Sequence, residues 1–277
     1  MSDEGLRKAY KYKLTPTLEQ ERQLEQTLRR CRMLYNTALE QRITAYRRCG
    51  ITLTCYQQQA DYQQQAELPD LKAAFPEYAD IHSQVLQDVL TRLDKTYQSF
   101  FRRVKTGQTP GFPRFQGRNR SHSFTYKQYG NGARLDNGCL VLSKIGRVAV
   151  RWSRPLEGTP KTVTISHEAD GWYAILSCAD VPAQPLPPTG QETGIDVGLK
   201  VFLITSNGEA VENPRHYRRG EKKLAKANTR VSRRKKGSTR RGKAVHCLGR
   251  AHQKVRRQRT DFHHKTALNL LRQYDTI

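Results

Sequence analysis

A single carboxylate, Asp196, stands at the centre of Gly194-Ile195-Asp196-Val197-Gly198, a short apolar run that alternates as a strand does. A charge among Ile195, Val197 and Leu199 is costly to bury unless a cation or hydrogen bonds compensate, and the flanking glycines would let a bulky ligand or backbone come close. Asp196 therefore reads either as a metal ligand or as the exposed face of an edge strand. Two-metal phosphodiester cleavage needs several carboxylates converging from different strands, because two Mg²⁺ ions about 4 Å apart must be held and charge-balanced. After Asp196 the acids are Glu209, Glu212, Glu221, Asp261 and Asp275. None lies inside a second convincing strand, and Asp275 comes closest to one. His263-His264 offers no joint metal site, since neighbouring side chains on a helix point about 100° apart. His264, beside Asp261 and Lys265, is expected to be structural or to touch phosphate.

The other chemistry is charge. The 277 residues carry 49 Lys+Arg against 25 Asp+Glu, a formal net charge of +24, and such an excess repels itself in a compact state unless a polyanion offsets it. From Arg215 to Arg272 there are 21 lysines and arginines and two acids. The densest part, Ser232 to Arg241, supplies Arg233, Arg234, Lys235, Lys236, Arg240 and Arg241, and Lys254, Arg256 and Arg257 follow. A charge run is often only a solvated helix face. Here Leu224, Ala227 and Val231, then Leu248, Ala251, Val255, Phe262 and Leu270, recur at near-helical spacing, so one face packs while the other stays basic. Nucleic acid is the expected partner.

The elements that must position these groups are also legible. Arg7 to Leu14 alternates loosely as a half-buried strand. Thr17-Leu18-Glu19-Gln20 is a capping box that opens a helix with Leu24, Leu28, Cys31, Tyr35 and Ala38 on one face and Gly50 as its stop. Tyr56 to Phe101 is apolar at helical spacing, with a stripe through Val85, Leu86, Val89, Leu90, Leu93 and Tyr97. Gly107, Pro110, Gly111 and Pro113 end this helical region. Short alternating runs at 123–126, 139–142, 148–152, 162–166 and 172–178 predict a small antiparallel β domain, completed by the N-terminal strand across the helical insertion. Pro182 to Pro188 is a stiff linker. Thr193 to Thr205 is expected to be one strand, turned back at Asn207-Gly208, where both turn positions would take φ > 0. Basic helices are expected over about 217–235 and 243–274, broken at Gly237-Ser238, with Tyr274 to Ile277 leading into another strand.

The six cysteines, Cys31, Cys49, Cys55, Cys139, Cys178 and Cys247, include no C-x-x-C pair, so no zinc site is expected and the thiols are expected to be reduced. Cys31 and Cys247 fall at helical apolar positions and are expected in the core. No apolar run reaches the roughly 18 residues of a membrane helix, and Met1 to Gly5 shows no signal-peptide segment. An intracellular, membrane-free protein is the expectation.

Several motifs resemble one family. Gly194 to Lys200, Asn207-Gly208, Pro214 to Arg218, Ser232 to Ser238 and Arg259 to Lys265 resemble the RuvC-like half of TnpB (OrfB) proteins. Leu34-Tyr35-Asn36, Phe100 to Arg103 and Gly111 to Phe115 resemble that family's N-terminal half, so the likeness spans nearly the whole chain in order. The resemblance implies an α+β multidomain fold: a wedge-type β domain (1–15 and 113–184), an inserted helical recognition domain (16–112), a linker (185–192) and a partial RNase H-like RuvC domain (193–277). It implies a cytoplasmic, nucleoid-associated prokaryotic protein that holds a guide RNA, whose pairing reads the double-stranded target DNA while side chains read a short flanking motif. Ser83, Gln84, Gln87 and Thr125 fall where family members read that motif, and Arg114 lies in a nucleic-acid-facing motif. Asp196 matches the first carboxylate of the family's Mg²⁺-binding Asp-Glu-Asp set. The other two, and the family's zinc ribbon, are not among these 277 residues, so the chain is expected to bind without cleaving.

Overall fold

The computed structural model describes residues 6–54, 57–58, 78–118 and 120–277, which fall into two compact units, one up to Ala183 and one from Gln184. Most of the stretch from Tyr56 to Pro76 expected as helix lies outside the described residues.

The first unit is built on a seven-stranded antiparallel sheet. Its strands are β1 (Leu6–Thr15), β2 (Ser123–Tyr126), β3 (Ala133–Asp136), β4 (Cys139–Leu142), β5 (Gly146–Arg151), β6 (Thr159–Glu168) and β7 (Gly171–Val181), in the order β2-β6-β7-β1-β5-β4-β3. The N-terminal strand is central: β1 pairs with β7 along one edge, Tyr10 opposite Leu176 and Tyr12 opposite Ala174, and with β5 along the other, Leu14 opposite Val150. Its alternation puts Tyr10, Tyr12 and Leu14 into the core, because successive strand residues face opposite sides of a sheet.

Strand β3 was not expected. It pairs with β4 through a two-residue turn at Asn137-Gly138, with Asp136 opposite Cys139. Both turn residues have positive φ, 45° and 74°, which matches the right-handed strand twist.

Helices α1 (Leu18–Cys49) and α2 (Ser83–Lys105) pack against each other and against β2. The capping box is present: Thr17 Oγ1 accepts from Gln20 N, and Gln20 Oε1 accepts from Thr17 N. Gly50, at φ 67°, closes α1 with its N–H on the last carbonyls. Leu24, Leu28, Cys31, Leu34 and Ala38 of α1 share one core with Val85, Leu86, Val89 and Leu93 of α2 and with Phe124, Tyr126, Leu140 and Leu142 of the sheet. Burial pushes the Cys31 thiol up to about 12, since low dielectric disfavours the thiolate. Inside the helix pair, Arg42 is 6 % exposed; its Nε donates to Gln58 Oε1 at 2.6 Å, both terminal nitrogens donate to Asp94, and its guanidinium lies over Tyr97. The buried cation is thus fully paired.

The second unit holds a three-stranded antiparallel sheet, β10-β9-β8, from β8 (Ile195–Val197), β9 (Val201–Thr205) and β10 (Ala210–Glu212), with helices α3 (His216–Ser232) and α4 (Thr239–Gln273). Leu203, Leu270 and Tyr274 form its core, with Phe202 and Val211 packed against them. The expected single strand over 193–205 is in fact a hairpin, β8 and β9 joined by Gly198-Leu199-Lys200, with Asp196 opposite Ile204. At Asn207-Gly208 only Gly208 has positive φ, 85°. Gly208 N donates to Thr205 O and Thr205 N donates to Glu209 O, so the β9–β10 loop is a longer turn than the primed one expected there. The break between the helices falls at Gly237, φ 83°, and Ser238 caps α4 by accepting from Arg241 N. Past α4, Thr276 makes a parallel bridge to Glu192, with Thr193 N donating to Thr276 O and Asp275 N to Gln191 O. The expected lead into another strand is therefore paired.

Candidate nucleic-acid interface

Asp196 occupies the middle of β8, exposed to solvent. Exposure removes the reason to expect a compensating cation, because a solvated carboxylate needs none. Gly198 also has a different task from the one its sequence context suggests. A Cβ there would sit 2.9 Å from Val201 O, so the tight β8–β9 turn requires the glycine rather than an approaching ligand. Among the described residues no three His, Cys, Asp or Glu side chains gather where they could hold a metal ion. One exposed carboxylate does not fit a pair of Mg²⁺ ions.

Asp275, the acid nearest a second strand, has a structural task. Its carboxylate accepts from Thr189 N, Gly190 N and Thr189 Oγ1 at 2.7–3.1 Å. The Thr189 and Gly190 amides hold its pKa below the usual carboxylate value of 3.8, because they bond only the charged form well. A depressed folded value means the contribution is fully present above the ordinary value and is lost as pH falls through the folded one. The Thr189 and Gly190 amides are therefore expected to be protected from hydrogen exchange at neutral pH and to lose protection below about pH 3.8, and Asp275→Ala should remove it at pH 7. Unchanged exchange in that variant would refute the anchoring role.

The basic helix pair divides its cations by task. Arg241 Nη1 donates to Val231 O and Arg234 O, satisfying carbonyls at the C-terminus of α3, and Arg234 Nη1 donates to Arg240 O. These two guanidiniums hold the inter-helix turn in shape. Arg233, Lys235, Lys236 and Arg240 are exposed around it, and Lys254, Arg256 and Arg257 are exposed along α4. On the inner side Leu224 and Val231 are buried, and a Cβ on Gly220 would press on Val255 at 2.9 Å, which shows how closely the helices approach. Cys247, expected in the core, is exposed instead. The buried residues of α4 are Ala244, Gln253 and Leu270, and Cys247 is not among them. Lys265 pairs with Asp261 at 2.9 Å, beside the exposed His264.

In the first unit, the N-terminus of α2 is strutted onto the sheet. Gln84 is buried, its Nε2 donating to Gln128 Oε1 and its Oε1 accepting from Gln128 N. Thr125 Oγ1 meets Arg92 Nη2 at 2.6 Å and Thr164 Oγ1 at 2.8 Å. Gly132 leaves room for the His82 ring, which a Cβ would meet at 2.8 Å. Ser83 and Gln87 lie on the same helix turns, partly exposed. Arg114 is exposed on the segment after α2.

A cleft of about 520 Å³ in the second unit was not foreseen from the sequence. It forms where the β8–β9 turn, the start of α3 and the middle of α4 meet, and it joins Lys200, Arg215, Arg218 and Arg259 to the rings of Phe202, Phe262 and His263. The signal was present as two separate motifs, Pro214 to Arg218 and Arg259 to Lys265; only the fold brings them together.

Known proteins share these features of sequence. Residues 164–277 match a family model described as a probable transposase, OrfB of the IS605 type, and residues 1–50 match that group's helix-turn-helix domain model, which here corresponds to β1 and α1. A putative RNA-guided DNA endonuclease of Streptomyces pristinaespiralis is 35 % identical over 277 residues, covering 98 % of this chain and 66 % of its own length. The putative RNA-guided DNA endonuclease InsQ of Escherichia coli K12 is 29 % identical over 263 residues, covering 93 % of this chain and 61 % of its own length. This chain thus spans about two thirds or less of these relatives. A solved Cas12f1–sgRNA–target DNA complex matches with 10 % identity and a TM-score of 0.37, over 96 % of this chain and 69 % of that one.

Proposed function

The chain belongs to the TnpB (OrfB) family, and from that premise we propose that it grips a guide RNA and, through the RNA, a double-stranded DNA target, with the basic helix pair of the second unit as the main phosphate-binding face. The observation that carries this reading is the division of labour around the α3–α4 turn. Arg234 and Arg241 are spent on backbone carbonyls, while Arg233, Lys235, Lys236 and Arg240 stand exposed on a rigidly held turn. Residues 184–277 hold 22 lysines and arginines against 7 acids, so this unit carries most of the net charge. A turn backbone already held in shape loses little freedom when its cations meet a phosphate backbone.

In this reading the first unit supplies the wedge-type sheet and the recognition helices. Ser83 and Gln87 face the flanking motif, since an exposed amide can pair bidentately with adenine. Gln84 and Thr125 act from behind, fixing the helix on β2 through Gln128 and Arg92. Arg114 adds a phosphate contact. The second unit is part of an RNase H-like RuvC domain in which Asp196 contributes one ligand to a divalent-metal centre of the complete nuclease. The isolated acidic residue favours binding without cleavage for these 277 residues.

The test is direct. Arg233, Lys235, Lys236 and Arg240 changed together to Gln should weaken binding of structured RNA at least 100-fold at about 100 mM salt while leaving the thermal transition in place, since each lost phosphate contact lowers the log–log salt slope by about 0.9. Unchanged affinity in a folded variant would move the interface elsewhere.

A further inference from the structure

The cleft at the start of α3 has a lining whose chemistry is unusually one-sided. Lys200 comes from the β8–β9 turn, Arg215 and Arg218 from the N-terminus of α3, and Arg259 from α4, and no carboxylate lines it. None of these four cations makes an ion pair among the described residues, whereas Lys265, further along α4, is paired with Asp261. Four like charges around about 520 Å³ repel one another unless an anion enters.

The rest of the lining is aromatic. Phe202 and Phe262 meet edge-on with centroids 4.9 Å apart, and His263 stacks on Phe202 at 5.5 Å with planes 24° apart. Phe202 and Phe262 are only partly buried, and His263 is exposed, so ring surface remains open to a planar ligand. The rim is pinned as well: Asn213 Oδ1 accepts from Arg215 N at 3.0 Å and Asn213 Nδ2 donates to Leu199 O at 3.2 Å, tying the start of α3 to the β8–β9 turn.

Unpaired cations on one side and open rings on the other match a ligand that is anionic at one end and flat at the other. We propose that this cleft takes one unpaired nucleotide, its phosphate on Arg215, Arg218, Arg259 and Lys200 and its base on the ring surface of Phe202, Phe262 and His263. The proposal rests on the nucleic-acid-binding reading above and deepens it. The helix-pair face tracks the backbone of a long polymer, whereas the cleft captures a single flipped or terminal nucleotide. Base stacking on aromatic side chains tolerates any sequence, so the cleft fixes the position of an unpaired residue rather than its identity. A ribonucleotide and a deoxyribonucleotide offer this same pair of groups.

The test uses the full 277-residue chain with 5′-AMP, 5′-dAMP, adenosine and inorganic phosphate as separate probes, followed by NMR titration or equilibrium dialysis. Both mononucleotides, or AMP alone if the source is RNA, should bind more tightly than adenosine and more tightly than phosphate. Arg259→Gln and His263→Ala should each weaken mononucleotide binding about five-fold or more, and His263→Phe, which keeps the ring, should largely restore it. Phosphate binding as well as AMP, or an effect of Arg259→Gln without one of His263→Ala, would reduce the cleft to a bare anion site and overturn the proposal; so would absence of mononucleotide binding. The broader reading is judged separately, because the four Gln substitutions at the α3–α4 turn should lower polymer affinity yet leave AMP affinity unchanged.

Discussion

Raising salt from 50 to 200 mM is expected to weaken binding of RNA or duplex DNA to this chain by about a thousand-fold to a hundred-thousand-fold. The size follows from the number of phosphates neutralised. Each contact made by a lysine or arginine releases a condensed counterion, so the logarithm of the affinity falls with the logarithm of salt by about 0.9 per contact on duplex DNA and about 0.7 on single strands. The α3–α4 turn offers Arg233, Lys235, Lys236 and Arg240, and α4 adds Lys254, Arg256 and Arg257. Seven such contacts lie in the range that gives so steep a loss. A slope below about two would mean that the exposed cations are merely solvated and that the basic face does not define the interface. Fluorescence anisotropy with one labelled RNA and one labelled duplex across a salt series measures both slopes.

The second large effect is an absence. With Mg²⁺ or Mn²⁺ and a guide RNA, these 277 residues are expected to cut target DNA no faster than buffer does, and Asp196→Ala is expected to change nothing in that assay. A phosphoryl-transfer site of this kind stabilises the attacking and leaving oxygens with two ions held by several carboxylates. Here Asp196 is exposed and Asp275 is committed to the Thr189 and Gly190 amides, and the described residues bring no third acid to either. Under the proposed RuvC-like reading, supplying a further acidic strand in trans should restore cutting that then depends on Asp196. Cutting by the chain alone that disappears in Asp196→Ala would show that a complete metal site exists where one carboxylate is seen.

How far the residues announced this structure differs from element to element. The α1 cap was legible because a capping box is a local pattern of four residues, and Thr17 and Gln20 make both of its bonds. That β1 joins the β domain was legible because Tyr10, Tyr12 and Leu14 alternate as a half-buried strand does; its central place in the sheet was not. Turn geometry was less legible. Three Asn-Gly pairs lie between strands, and the two-residue hairpin is at Asn137-Gly138, where both φ values are positive. At Asn207-Gly208 the loop is longer because Thr205 N donates to Glu209 O while Thr205 O accepts from Gly208 N, so Ser206 and Glu209 do not close a two-residue turn. The β8–β9 turn was hidden because the alternation of Ile195, Val197 and Leu199 runs straight through Gly198, which read as room for a ligand and not as a turn. Asp196 was found by its type, and the exposed edge-strand reading is the one the structure bears out, but the residues could not choose it over burial because burial is a property of what covers a strand. The cleft stayed invisible for the same reason: Lys200, Arg215 and Arg259 are far apart in the chain and become neighbours only once β9, α3 and α4 are packed.

The central claim is that the α3–α4 turn and the α4 surface are where nucleic acid sits. Photo-crosslinking of the intact chain to RNA, with the modified peptides identified by mass spectrometry, addresses it most directly. Crosslinks should concentrate in residues 233–241 and 254–259, with a smaller set at Arg114 and the start of α2. Crosslinks spread evenly over the surface, or confined to the first unit, would contradict it.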